Sequence, residues 1–110
     1  DAFLRRLRYL MYFSRPGAAE RDAIWRQLVG ALAGPERVAA LGKEIKVLAQ
    51  LVDVSGAEIK NAALAAAFIA RQAGEPVGVP HLLRGLKREF SNQGRDLAVS
   101  AADIAREAAR

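Results

Sequence analysis

Apolar residues along this chain recur mainly at helical spacing. From about Gly17 to Leu32, residues Ile24, Trp25, Leu28, Val29 and Leu32 form one stripe, and Glu20, Arg21, Arg26 and Gln27 mostly fall outside it. Gly34-Pro35 ends that helix. A second helix is predicted from about Arg37 to Val52, with Val38, Leu41, Ile45, Leu48 and Val52 on its core face. Gly42 lies inside it, and glycine there costs up to about 1 kcal/mol relative to alanine. Regular helix is therefore expected to begin near Lys43. A third helix runs from Ser55 to about Ala73, opened by the capping box Ser55-x-x-Glu58 and stopped by Gly74 and Pro76. It is apolar almost all the way round and rich in alanine, which lets neighbouring backbones come close, so it is expected at the centre. Pro80 suits the first turn of a fourth helix with Leu82, Leu83, Leu86 and Phe90 on its stripe, closed by Gly94. A short fifth helix is expected after Ser100-x-x-Asp103. Its narrow face of Ile104, Ala105 and Ala108 predicts fraying or docking on a partner.

One segment breaks the pattern. Tyr9-Leu10-Met11-Tyr12-Phe13 is a short apolar, aromatic-rich run ended by Ser14-Arg15-Pro16-Gly17, and it reads as a buried strand. A lone strand needs neighbours for its backbone groups, so its partners are expected outside this segment. Residues Asp1 to Arg8 read as a short helical turn. The fold class predicted is all-α: a small four-helix bundle with one short N-terminal strand and a further C-terminal helix.

Composition narrows the classes. A chain of 110 residues, 52% hydrophobic and 26% charged, is long and apolar enough for a single globular domain with a core. It has no cysteine, which removes disulfides and thiolate metal sites and agrees with a reducing, cytoplasmic setting. The longest apolar run, Ala62 to Ala70, is nine residues. Spanning a bilayer takes roughly 18–20. The start, Asp1-Ala2-Phe3-Leu4-Arg5-Arg6, lacks a signal-peptide layout and an initiator Met, so the chain is expected to be cut from a longer one. The formal charge of +5 invites nucleic acid as a partner, but acids accompany most of the bases along the chain. The one dense patch in sequence is Arg5, Arg6 and Arg8. A solvated surface accounts for the rest.

The search for chemistry is mostly negative. Neither a G-x-x-x-x-G-K-[ST] phosphate loop nor a G-x-G-x-x-G loop is present. His81 is the single histidine, which leaves little for a metal cluster or a Ser-His-Asp triad. Beside Pro80 it reads as a partly exposed residue at a helix start. The acids form no convincing catalytic pair, so this chain alone is expected to be inactive.

An ordered set of short motifs resembles the C-terminal part of AAA+ ATPases. In that family the large subdomain ends with an Ala-x-x-Arg-Arg type segment, a strand and a proline near the lid junction. The helical lid follows, with an acidic-Arg pair in its first helix and Ser/Thr-Gly-Ala/Gly opening its third. Ala2-Phe3-Leu4-Arg5-Arg6, Tyr9 to Phe13, Pro16, Glu20-Arg21, the Val38 to Val52 helix and Ser55-Gly56-Ala57 fill those places in order, across roughly residues 1–94. The wording Phe3-Leu4-Arg5-Arg6 with Ser55-Gly56-x-x-Ile59-x-Asn61 looks most like bacterial members associated with contractile injection systems.

The resemblance implies three parts: the end of the large subdomain at 1–16, the lid at 17–94, and a C-terminal tail or helix at 95–110. It puts Arg5 and Arg6 where the family keeps arginine fingers, with Arg8 a weaker candidate. A guanidinium fork from a neighbouring subunit stabilises the charge that builds during phosphoryl transfer. Gly56 and Ala57 fall where the family packs backbone against adenine. Many clades carry an arginine two residues after that glycine, where this chain has Glu58, which cannot touch a γ-phosphate as a cation. AAA proteins in the narrow sense also lack that arginine. Lys60 is a substitute two residues past Glu58 and so turned about 200° around the helix. The implied whole is an ATP-driven protein-remodelling ATPase using ATP and Mg2+, working as a homo-oligomeric ring, a hexamer, on a protein substrate. No resident metal site, membrane or nucleic acid is implied. Two other readings stay open: a helical protein-interaction or oligomerisation adaptor, and a small basic DNA- or RNA-binding module.

Overall fold

The computed structural model describes Ala2, Arg5, Arg6 and residues 15–110. The predicted strand, Tyr9 to Phe13, and Arg8 lie outside the described residues. Ala2, Arg5 and Arg6 are helical. From residue 15 onward six helices follow: α1 (Ala18–Ala33), α2 (Pro35–Ala40), α3 (Gly42–Leu51), α4 (Gly56–Ala73), α5 (Val79–Asn92) and α6 (Ala101–Ala108). No strand occurs among the described residues, so they form an all-α bundle.

The spacing rules place the core well. Ile24, Trp25 and Val29 of α1, Ile45 and Leu48 of α3, Ile59, Ala62 and Ala66 of α4, and Leu82 and Leu86 of α5 are almost fully buried in one cluster. Helix α1 packs on α2, α3 and α4, and α4 runs along α5. The second helix expected from sequence is two. Backbone at Leu41 leaves helical geometry (φ −103°, ψ 10°), and α3 restarts at Gly42. The break follows from glycine's poor helix propensity. It turns Leu41 into the core, 7% exposed, and Arg26 donates to the Gly42 carbonyl at 2.8 Å from α1.

Helix α4 is central, and alanine is the reason. A Cβ added to Gly85 of α5 would stand 2.2 Å from the Ala62 carbonyl oxygen. The two backbones therefore meet directly, which only a missing side chain on one helix and a methyl on the other allow. Gly74 ends α4 in the left-handed region (φ 68°), and the Glu75 N–H reaches back to the Ala70 carbonyl at 2.9 Å. The short C-terminal helix packs back on the bundle. Ser100 and Asp103 close its capping box, and Ile104 is fully buried, with Leu97, Val99 and Ala108 packed alongside. It rests on α3 and α5.

Candidate functional site

Several polar contacts gather at the start of α4. Ser55 is the N-cap, with its Oγ accepting from the Glu58 N–H at 3.1 Å. Glu58 Oε1 accepts from the Ser55 N–H at 2.7 Å. The box thus satisfies two of the donors that a helix start leaves open, and the N–H groups of Gly56 and Ala57 remain. Gly56 is buried, and Ala57 and Lys60 are half-buried. Glu58 Oε2 faces the far end of α5, where Gln93 donates at 2.7 Å and Arg95 stands at 3.3 Å. Arg95 also lies over the Phe90 ring, 4.2 Å from its centroid. Burial alone would raise the Glu58 carboxyl. The Ser55 backbone, the Gln93 amide, the Ser55 hydroxyl and the Arg95 charge outweigh it and hold the group below its ordinary range. Both carboxylate oxygens are occupied, so Glu58 serves as a tie between α4 and α5.

The segment leading into α1 arrives at the same corner. Pro16 is buried. Arg21, 7% exposed, donates from Nε to the Ala49 carbonyl at 2.8 Å and from Nη1 to the Pro16 carbonyl at 2.9 Å. The same Nη1 pairs with Asp53 at 3.2 Å, and Arg15 stands 3.6 Å from that carboxylate. Asp53 is two residues ahead of the Ser55 cap. One buried guanidinium therefore joins the incoming chain, the end of α3 and the loop before α4.

Arg5 and Arg6, read as candidate fingers, are exposed and make no hydrogen bond or ion pair with any described residue. Gly56, Ala57 and Lys60 come together at the start of α4 by virtue of their sequence spacing. His81 is not the partly exposed residue expected. It is 8% exposed, its Nδ1 accepting from the Gly78 N–H at 2.9 Å and its Nε2 facing Glu75 at 3.0 Å. Acceptance at Nδ1 fixes the proton on Nε2, which donates to Glu75. Among the described residues no group of three His, Cys, Asp or Glu side chains is arranged to hold a metal ion, and no helix is long and apolar enough to cross a membrane.

Sequence reasoning missed two features of this site. Arg21 stood only as half of an acidic-Arg pair, and its burial depends on the Ala49 carbonyl, 28 residues away. Gln93 and Arg95 attracted no attention, because their value lies in reaching Glu58 from another helix. No protein-family model, no curated protein and no solved structure matches this chain.

Proposed function

We propose that this chain is the C-terminal part of an AAA+ ATPase, in which residues 17–94 are the helical lid that closes over a bound nucleotide. The observation that supports this best is the meeting of the incoming segment with the start of α4. Arg15 and Arg21 both reach Asp53, just before the Ser55 cap. A nucleotide pinched between two subdomains needs a helix start beside the hinge, and the free N–H groups of Gly56 and Ala57 suit the polar edge of adenine. In this reading Arg5 and Arg6 act in trans on the neighbouring subunit's ATP, with Mg2+ supplied alongside it. The assembly is a ring, a hexamer, in the cytoplasm, and lid rotation remodels a protein substrate.

The test is ATP turnover by the full-length protein. Arg5→Ala or Arg6→Ala should lower kcat by about a thousandfold or more while nucleotide binding persists. Residues 1–110 alone should show no turnover above background. A coding region with no G-x-x-x-x-G-K-[ST] loop upstream of Asp1 would sink the reading. The open face of α4 favours a second reading, a helical protein-interaction module.

A further inference from the structure

One side of α4 is sealed against α5 and α1, and the other is bare. Leu64 and Phe68, one turn apart, are 47% and 59% exposed. They form a ridge between two hollows. One is lined by Asn61, Gly85 and Arg88 with Leu64 and Phe68. The other, across Phe68, is lined by Leu32, Arg37, Arg71 and Val77, and Leu32 is itself 40% exposed. A ridge between grooves is the surface a second helix packs on.

Cations outnumber acids around this face. Arg88 stands in the first hollow, with Arg84 one turn away on the same exposed side of α5, and Lys87 adjoins them. Arg71 and Arg37 border the second hollow. The side chains of Arg71, Arg84, Lys87 and Arg88 make no hydrogen bond or ion pair with any described residue. Arg37 is held in place by its bond to the Val77 carbonyl at 3.0 Å. Each hollow also holds one acid, Glu89 in the first and Glu75 in the second. Glu75 accepts from His81, and Glu89 accepts from Asn61 at 3.2 Å.

We propose that the open face of α4 docks an acidic amphipathic helix of a second protein. Its apolar positions sit beside Leu64 and Phe68, and its flanking carboxylates meet Arg84 and Arg88 on one side and Arg37 and Arg71 on the other. An apolar ridge at the centre with cations at the rims matches that partner better than a phosphate backbone, which would want cations at the centre. The inference uses residues 32–89 alone and stands whether or not the protein hydrolyses ATP.

The probe is a fluorescein-labelled synthetic peptide of about 18 residues, with leucine at i, i+3, i+4 and i+7 and glutamate elsewhere. Titrated with the 110-residue protein, it should bind saturably and shift 15N amide signals of α4, α5 and the end of α1. Leu64→Glu with Phe68→Glu should abolish binding with far-ultraviolet circular dichroism unchanged. Arg84→Glu with Arg88→Glu should weaken it about tenfold, and a lysine-for-glutamate peptide should not bind. The proposal fails if the acidic peptide does not bind, if these substitutions leave binding intact, or if the lysine peptide binds equally well. It fails in favour of nucleic acid if single-stranded DNA shifts the same amides and is indifferent to the Leu64 and Phe68 changes. It fails in favour of a second copy if sedimentation shows a dimer that Phe68→Glu dissolves.

Discussion

The two sides of α4 are built from one stretch of sequence and do opposite things. Toward α5 the helix shows Ala62, Ala63 and Ala66, and a backbone carbonyl touches Gly85. Away from it the helix shows Leu64 and Phe68, about half exposed. Two of its large side chains sit on the exposed side, and the smallest residues sit where packing is closest. Core formation accounts for the first side. It gives no reason for the second, because a fold of this size gains nothing from two solvent-exposed large apolar groups on one helix face.

Substitutions on the two sides should therefore separate stability from binding. The largest effect belongs to Gly85→Ala. The added methyl meets a backbone atom that cannot move aside, and about 3 kcal/mol or more of stability should disappear in urea unfolding. Arg21→Met comes next, at about 2–3 kcal/mol, since it strands the Ala49 and Pro16 carbonyls. Ser55→Ala removes the N-cap of α4 and should cost about 1 kcal/mol. Leu64→Glu and Phe68→Glu should change stability by no more than about 0.5 kcal/mol, while stripping the face of its docking capacity. A large destabilisation from either would mean that the open side of α4 is part of the core, and the contrast between the two sides would collapse.

Acidity probes the polar tie at the start of α4. Glu58 is held below its ordinary value in the folded chain, so the unfolded chain takes up a proton first as pH falls. Its stabilising share is complete above the ordinary carboxylate range and is lost as pH drops through the lowered folded value. Urea midpoints of Glu58→Gln should therefore fall less steeply than those of the unsubstituted chain between neutrality and about pH 3. Equal slopes would mean that the Ser55, Gln93 and Arg95 contacts do not favour the charged carboxylate.

Local rules carried the sequence reading a long way. Both serine capping boxes, the stops at Gly34-Pro35 and Gly74, and the stripes of α3 and α5 follow from spacing and capping chemistry, and the structure holds them. The weak point at Gly42 was legible as a glycine penalty, though the clean break at Leu41 was not. Hydrophobicity marked Leu32 for the α1 stripe and α4 as apolar all round, but it could not count neighbours. In a small bundle there are too few helices to cover every face, so Leu32, Leu64 and Phe68 stay out. Charge reading along the chain could not show which bases would meet. Arg37, Arg71, Arg84 and Arg88 are scattered in sequence among acids, and tertiary packing gathers them round one ridge while His81 and Asn61 occupy the nearby carboxylates. Arg5 and Arg6 rest on the AAA+ resemblance alone.

Arg21 has a mechanical consequence. A pull on the chain ahead of α1 would ordinarily travel the length of that helix before reaching the rest of the bundle. Its guanidinium short-circuits that path. It grips the Pro16 carbonyl on one side and the Ala49 carbonyl and Asp53 on the other. Tension applied at residue 15 therefore passes through Arg21 to the end of α3 and to the loop before α4.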